Sequence, residues 1–161
     1  MGNRLSKIYT RTGDDGSTGL GDGSRTGKGE LPELVRDQLV AIQHQMFDLG
    51  AELCIPGHAA IFDADIDRLE QWLDGHNEDL PPLKEFILPA GGEAAARCHI
   101  ARTVVRRAER ETVALSRQES IRPEAVRYLN RLSDLLFVLA RVLARASGHG
   151  EVTWNHERRK G

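Results

Sequence analysis

"PEAVRYLNRLSDLLFVLARVLARAS", residues 123–147, reads as one long amphipathic helix. Its apolar positions Ala125, Leu129, Leu132, Leu136, Leu139, Leu143 and Ala146 recur at alternating steps of four and three. That rhythm holds side chains on one helical stripe, whereas a half-buried strand would alternate. Pro123 suits a first turn, where a missing N–H leaves no bond unmade, and Gly148 suits a C-terminal stop. Working back along the chain, the same rhythm returns twice. Between Glu93 and Ser116 it is carried by Cys98, Ala101, Val105, Ala108, Thr112 and Leu115. Between Pro32 and Ile55 it is carried by Val35, Leu39, Ile42, Met46, Leu49 and Leu53. A shorter helix fits Asp63–Asp74, capped by Asp63 or Asp65, with Ile66, Leu69 and Leu73 inward.

Pro56-Gly57 and Pro81-Pro82 punctuate these segments. Helices joined by short connections pack antiparallel, so the pattern implies an all-α fold, a left-handed helical bundle. There is no strand–helix alternation, tandem repeat or low-complexity tract. At 161 residues the chain fits one domain: an arm over 1–30, helices over 31–148 and a tail over 149–161.

Composition narrows the class. With 40% apolar and 29% charged residues the chain is a soluble globular one rather than a disordered one. A net charge of −2 argues against nucleic acid or an anionic membrane as partner, so any anion site must be a local concentration of positive charge. No apolar run approaches a membrane span and the start lacks a signal-type apolar region, from which a cytoplasmic location is expected. Cys54 and Cys98 lie far apart inside helical stretches and read as small core residues, not a disulfide or metal pair. The six histidines (His44, His58, His76, His99, His149 and His156) form no metal-ligand spacing, and no protein-held metal is expected. Neither a nucleophile elbow nor a Cys–His arrangement is present.

Two features are poor choices for a purely structural helix. Arg102, Arg106 and Arg110 are spaced i, i+4, i+8 and repel one another by roughly 0.2–0.5 kcal/mol per pair. Either Glu109 and Glu111 neutralise them on a solvated face, or they hold an anion, since guanidinium forks suit phosphate oxygens. In "YLNRLSD", Asn130 and Asp134 stand one turn apart beside the Leu129/Leu132/Leu136 stripe. Asn is an indifferent helix former, so it either fixes bundle register or is aimed at a ligand.

The arm, "KIYTRTGDDGSTGLGDGSRTGKG" (residues 7–29), is irregular and polar. Its glycines would let backbone N–H groups approach an anion, with Thr10, Thr12, Ser17 and Thr18 as hydroxyl donors. It lacks the spacing of a Walker A loop. Asp14, Asp15 and Asp22 would repel phosphate unless turned away or bridged by Mg²⁺. By itself it reads equally as a floppy terminus.

Taken together, "KIYTRTGDDGSTGL", "FDLGAEL", "PPLKEFILPAGGEAAARCHIARTVVRRAER" and "RYLNRLSDLLFVLAR" closely resemble the PduO-type ATP:cob(I)alamin adenosyltransferases, over nearly the whole chain. The resemblance implies a bundle of up to five helices. It implies ATP and cobalamin or another corrinoid as substrates, with Mg²⁺ on the ATP phosphates. It also implies a homotrimer with active sites between subunits, served by a cobalamin reductase and an adenosylcobalamin-dependent enzyme. By the same resemblance Thr10, Arg11, Thr12, Gly13, Thr18, Gly19 and Lys28 would surround the phosphates. Arg106, Arg107, Ala108, Glu109 and Arg110 would face the nucleotide, with Glu109 orienting the flanking arginines. Asn130 would bond the nucleoside, and Phe86 would lie beneath the corrin. Arg102 would pair with an Asp of the family's first helix.

That first helix, with a "GTVDELNS"-like motif, has no counterpart here. "RTGKGELPELVRDQL" passes straight from the arm into the next helix. The apolar stripes it would cover remain fully apolar. Exposing them carries a multi-kcal/mol penalty, so a backbone break between Lys28 and Pro32 is expected rather than true loss of the helix. True loss would favour an impaired paralogue that binds ATP or delivers adenosylcobalamin.

Overall fold

The computed structural model describes residues 31–159, together with the backbone of 17–19 and 25–27. The chain divides into two units, 1–30 and 31–161. In the first, β1 (Ser17–Gly19) and β2 (Arg25–Gly27) pair antiparallel, with Thr18 opposite Thr26 and Gly19 opposite Arg25. The arm is therefore not wholly irregular, since its backbone forms a short antiparallel ladder. Thr10, Arg11, Thr12, Gly13, Lys28 and the expected break after Lys28 lie outside the described residues.

The second unit is built from α1 (Glu33–Cys54), α2 (Asp63–Glu78), α3 (Glu93–Leu115) and α4 (Pro123–Ala146), ending in a 3₁₀ turn at Glu157–Arg159. The fold is all-α, as the three-and-four rhythm requires. Pro123 opens α4, and Gly148, at φ +76°, follows its last turn. α2 runs four residues beyond the expected Asp74. Its N-cap is Phe62, and neither aspartate caps it as expected. Asp65 instead accepts the Phe62 N–H at 3.0 Å from the third helical position.

α4 forms the axis. Tyr128, Leu129, Leu132, Leu135, Leu136, Leu139 and Leu143 are all buried, and the side left most open carries Arg127, Asn130, Arg131, Asp134 and Phe137. Cross-contacts give the directions. Glu52 meets Arg122 and Gln45 meets Tyr128, so α1 runs against α4. Glu109 meets Asn130 and His99 meets Phe137, so α3 does too. Asp63 meets Arg127 and Glu70 meets Arg131, so α2 runs with α4. The result is an up-down-up-down bundle.

The inward row of α1 differs from the apolar stripe read off the sequence. Its buried residues are Val35, Gln38, Ile42, Gln45, Leu49 and Glu52, while Leu39, Met46 and Leu53 are half-buried. Each buried polar group has partners, as burial demands. Tyr128 Oη donates to Gln45 Oε1 at 2.8 Å, and Gln45 Nε2 donates to Asp65 Oδ1 at 2.9 Å. Glu52 accepts the Ala60 and Ile61 N–H groups at 2.7 and 2.8 Å and pairs with Arg122 at 3.1 Å. His76 Nε2 and Gln38 Oε1 are 2.7 Å apart. Cys98 is buried, but Cys54 is exposed at the last residue of α1, so only one cysteine is a core residue.

The entry to α3 crosses the end of α4 closely. Gly91 has φ +98°, and a Cβ there would collide with the Ala144 Cβ and stand 3.0 Å from Gly150 O. Backbone strain and overpacking each cost about 1–3 kcal/mol. Gly91→Ala should therefore lower unfolding stability by about 2 kcal/mol or more in urea titrations. Adding Ala144→Gly should relieve the collision and leave the strain. An unshifted midpoint for the single variant would refute the close approach.

Candidate functional site

α3 carries the arginine row, and its seam with α4 decides where the row points. Most described arginines outside this row have carboxylate neighbours: Arg36, Arg68, Arg97, Arg122, Arg127, Arg131, Arg141 and Arg145 all do. Arg102, Arg106, Arg107, Arg110 and Arg117 have none within ion-pair distance among the described residues. The row is therefore not neutralised by Glu109 and Glu111. Glu109 instead accepts a hydrogen bond from Asn130 Nδ2 at 2.9 Å, so among the described residues it orients Asn130 rather than the flanking arginines. Arg110 folds back to donate to Arg106 O at 3.2 Å. A shallow cavity of about 390 Å³ is lined by Arg106, Glu109, Arg110, Val113, Ala114 and Arg117, three of them guanidinium-bearing. Ala108 faces the core, half-buried, and Arg107 is exposed.

One turn back, at about 6 Å along the helix axis, Arg102 belongs to a different and larger cleft. This cleft, of about 810 Å³, lies between α2, α3 and α4, with Phe86, Arg102, Arg131, Asp134, Phe137 and Arg141 among its lining residues. The Arg102 guanidinium sits 5.4 Å above the Phe137 ring centroid, a cation–π contact in place of an ion pair. Phe86 is 80% exposed, its ring offered to the cleft and to solvent. An arginine-walled shelf and an aromatic cleft thus lie in succession along one helix. That arrangement suits a ligand with a polyanionic end and a broad apolar face.

The chain's tail packs against the Phe86 connection. Ile87 and Thr153 form an antiparallel bridge, and Trp154 lies edge-on to Phe86 with ring centroids 6.5 Å apart. Sequence reasoning missed Trp154, Phe137 and Arg141. The one available signal for Trp154 was a lone large aromatic after alternating residues in "GEVTWNHE", a strand pattern outside any helix. Of the expected site residues, the structure gathers Arg106, Glu109, Arg110 and Asn130 on one side of the α3–α4 seam, and Phe86 with Arg102 in the cleft. Thr18 and Gly19 are placed in β1. Among the described residues no group of three or more His, Cys, Asp or Glu side chains could hold a metal ion. None of the described helices is long and apolar enough to cross a membrane.

The sequence model described as cobalamin adenosyltransferase matches residues 30–143. The chain belongs to that family. A cobalamin adenosyltransferase of Cupriavidus metallidurans is 51% identical, covering 98% of this chain and 99% of its own length. A corrinoid adenosyltransferase of Bacillus subtilis is 39% identical, covering 92% of each chain. Among solved structures, a variant PduO-type ATP:corrinoid adenosyltransferase from Lactobacillus reuteri complexed with cobalamin and ATP superposes with a TM-score of 0.73. The two share 28% identity, over 93% of this chain and 100% of that one. The alignment with the Cupriavidus adenosyltransferase runs over 182 positions against the 161 residues here, so it steps over at least 21 positions of that relative.

Within this adenosyltransferase, His99 offers a titration. It is buried at the seam, beside Arg102 and edge-on to Phe137. Burial first, and the Arg102 charge second, hold its imidazole below the ordinary 6.5. His76 is lowered too, by burial, with Asp79 opposing. From pH 6.5 down to the folded-state values, the unfolded chain binds more protons than the folded one. Stability present above pH 6.5 should therefore be lost as pH falls through that window. The urea midpoint should drop on acidification below 6.5, and a His99→Phe variant should show a smaller drop. Identical profiles for both proteins would contradict it.

Proposed function

We propose that this chain transfers the 5′-deoxyadenosyl group of ATP to Co(I) of cobalamin or a related corrinoid, releasing tripolyphosphate. The observation that carries the reading is the run of arginines, Arg106 to Arg117, without carboxylate partners among the described residues, next to the aromatic cleft at Phe86 and Arg102. Family membership and the ATP- and cobalamin-bound relative point the same way. In the reaction the Co(I) lone pair attacks C5′. A Co–C bond forms, the C5′–O bond breaks, and its electron pair leaves with the triphosphate. No proton moves at the reacting carbon, so no side-chain base is needed.

The corrin ring carries the difficult electronics, and the protein supplies placement and charge. Arg106, Arg107, Arg110 and Arg117 would bind the triphosphate and meet the charge that develops on it. Arg106, Arg110 and Arg117 already line one cavity, so they need little reorganisation at the moment of transfer. Thr10, Arg11, Thr12, Gly13, Thr18, Gly19 and Lys28 are proposed as further phosphate ligands. Asn130, held by Glu109, would present its amide to the nucleoside. Phe86 would occupy the lower face of the corrin, keep a fifth ligand off cobalt and thereby ease reduction of Co(II). Arg102 would line the corrin side of the junction between the two substrates. Mg²⁺ would arrive on the triphosphate, as the family resemblance implies. A cytoplasmic homotrimer with sites between subunits, working with a cobalamin reductase and an adenosylcobalamin-dependent enzyme, is part of the same proposal.

A second reading is an impaired paralogue that binds ATP or adenosylcobalamin without turning over. It is favoured by the positions of the Cupriavidus relative that have no counterpart here. We place them where the family match begins, at the junction of arm and α1. Protein, ATP, Mg²⁺ and chemically reduced cobalamin separate the two. The enzyme should produce the alkylated-corrin spectrum, whereas the paralogue should show only an ATP-dependent thermal shift. Arg106→Ala should lower kcat by about 100-fold by removing leaving-group stabilisation. Unchanged turnover would sink the assignment.

A further inference from the structure

Phe86 stands in the connection between α2 and α3, where residues 81–86 are all exposed. A ring that is four-fifths solvent-accessible has little in its own segment to select one rotamer. The restraint comes from the tail. Leu88 N–H donates to Val152 O at 2.8 Å, and Trp154 N–H donates to Phe86 O at 2.6 Å, which brackets the Ile87–Thr153 bridge. The Trp154 ring then meets the Phe86 ring at 69°. The root of the tail is fixed separately. Glu151 bonds to the buried Arg141, and Arg141 Nη2 also donates to Pro81 O at 2.6 Å. One buried guanidinium thus anchors both the start of the Phe86 connection and the start of the tail.

We propose that Trp154 is a positioning residue for Phe86: its indole walls off the rotamers that would swing the ring out of the cleft. The inference rests on the function proposed above, which gives Phe86 the lower face of the corrin. Edge-to-face aromatic contacts are directional, so phenylalanine at 154 can replace the indole while alanine cannot. Since Trp154 does not reach the arginine shelf, its loss should spare nucleotide binding.

The test compares the full chain with W154A and W154F, each labelled with 4-fluorophenylalanine and with the Phe86 resonance assigned through F86L. W154A should move or broaden the Phe86 fluorine line, and W154F should restore it. In turnover assays W154A should lower kcat by about tenfold or more while leaving KM for ATP unchanged, with W154F recovering most of the rate. The visible spectrum of ATP-loaded Co(II) corrinoid should show more five-coordinate cobalt in W154A. An unmoved fluorine line overturns the proposal. So does a W154A protein that turns over and reports cobalt ligation like the native chain. If the native chain itself makes no alkylated corrin, the function above has failed. The fluorine comparison alone then decides the positioning role. If W154A does not fold, W154F together with Glu151→Gln, which loosens the root of the tail, supplies the same comparison.

Discussion

The antiparallel seam between α3 and α4 sets the position of everything else in the bundle. Along it, Gly91 meets Ala144, His99 meets Phe137, and Glu109 meets Asn130, three contacts in register over the full length of both helices. A shift by one turn would move each by about 5.4 Å and dissolve all three at once. A glycine allows the first contact, and in the second a buried histidine stands edge-on to its partner ring. The third is a hydrogen bond at the seam's open edge. Because the seam is keyed at both ends, Arg102 can sit over Phe137 while Arg106 and Arg110 open to the solvent side one and two turns on.

The charge distribution on α3 follows from this keying. Five guanidiniums between Arg102 and Arg117 lack carboxylate partners among the described residues, yet the protein has acids to spare: 24 Asp and Glu against 22 Lys and Arg. Elsewhere it uses them freely, as at Glu52 with Arg122 and Glu151 with Arg141. On α3 the nearest acid, Glu109, is turned to Asn130. Mutual repulsion along the row weakens the helix by a few tenths of a kcal/mol per pair, a small loss against the burial of α4's leucines. A surface left in that state is suited to an anion that brings its own negative charge.

Much of this was legible in the sequence because it depended on period. The heptad-like steps of "PEAVRYLNRLSDLLFVLARVLARAS" gave α4, and those of the other stretches gave α1 and α3 within a residue or two. What period could not show was partner choice. Gln45 and Glu52 are buried because a Tyr hydroxyl and an Arg reach them from α4, and such pairs are set by three-dimensional register. The tail escaped for a related reason. A single-pair β-bridge is too short to pattern, and Trp154 gains its meaning only from Phe86, 68 positions away. The resemblance supplied the site that period alone would have left as an anion-binding bundle.

The missing positions can be weighed on the same footing. Apolar side chains left uncovered should mark where cover was lost. On α1, Val40 and Phe47 are 47% and 86% exposed on the face opposite Ile42 and Leu49. On α3, Ile100 and Val104 are 63% and 46% exposed. Each such residue forgoes part of the about 1.5–3 kcal/mol that full burial gives. Yet the leucines of α4 stay buried, so the exposure falls on the outer faces and not on the axis. By helical phase, Val104 lies about 160° around α3 from Arg102 and Arg106. The exposed apolar face of α3 is thus turned away from the arginine shelf. Among the described residues Arg102, on the inner side of the same helix, rests on the Phe137 ring. What the described bundle keeps intact is the α4 axis and the α3–α4 seam, on which the placement of Arg102, Glu109 and Asn130 depends.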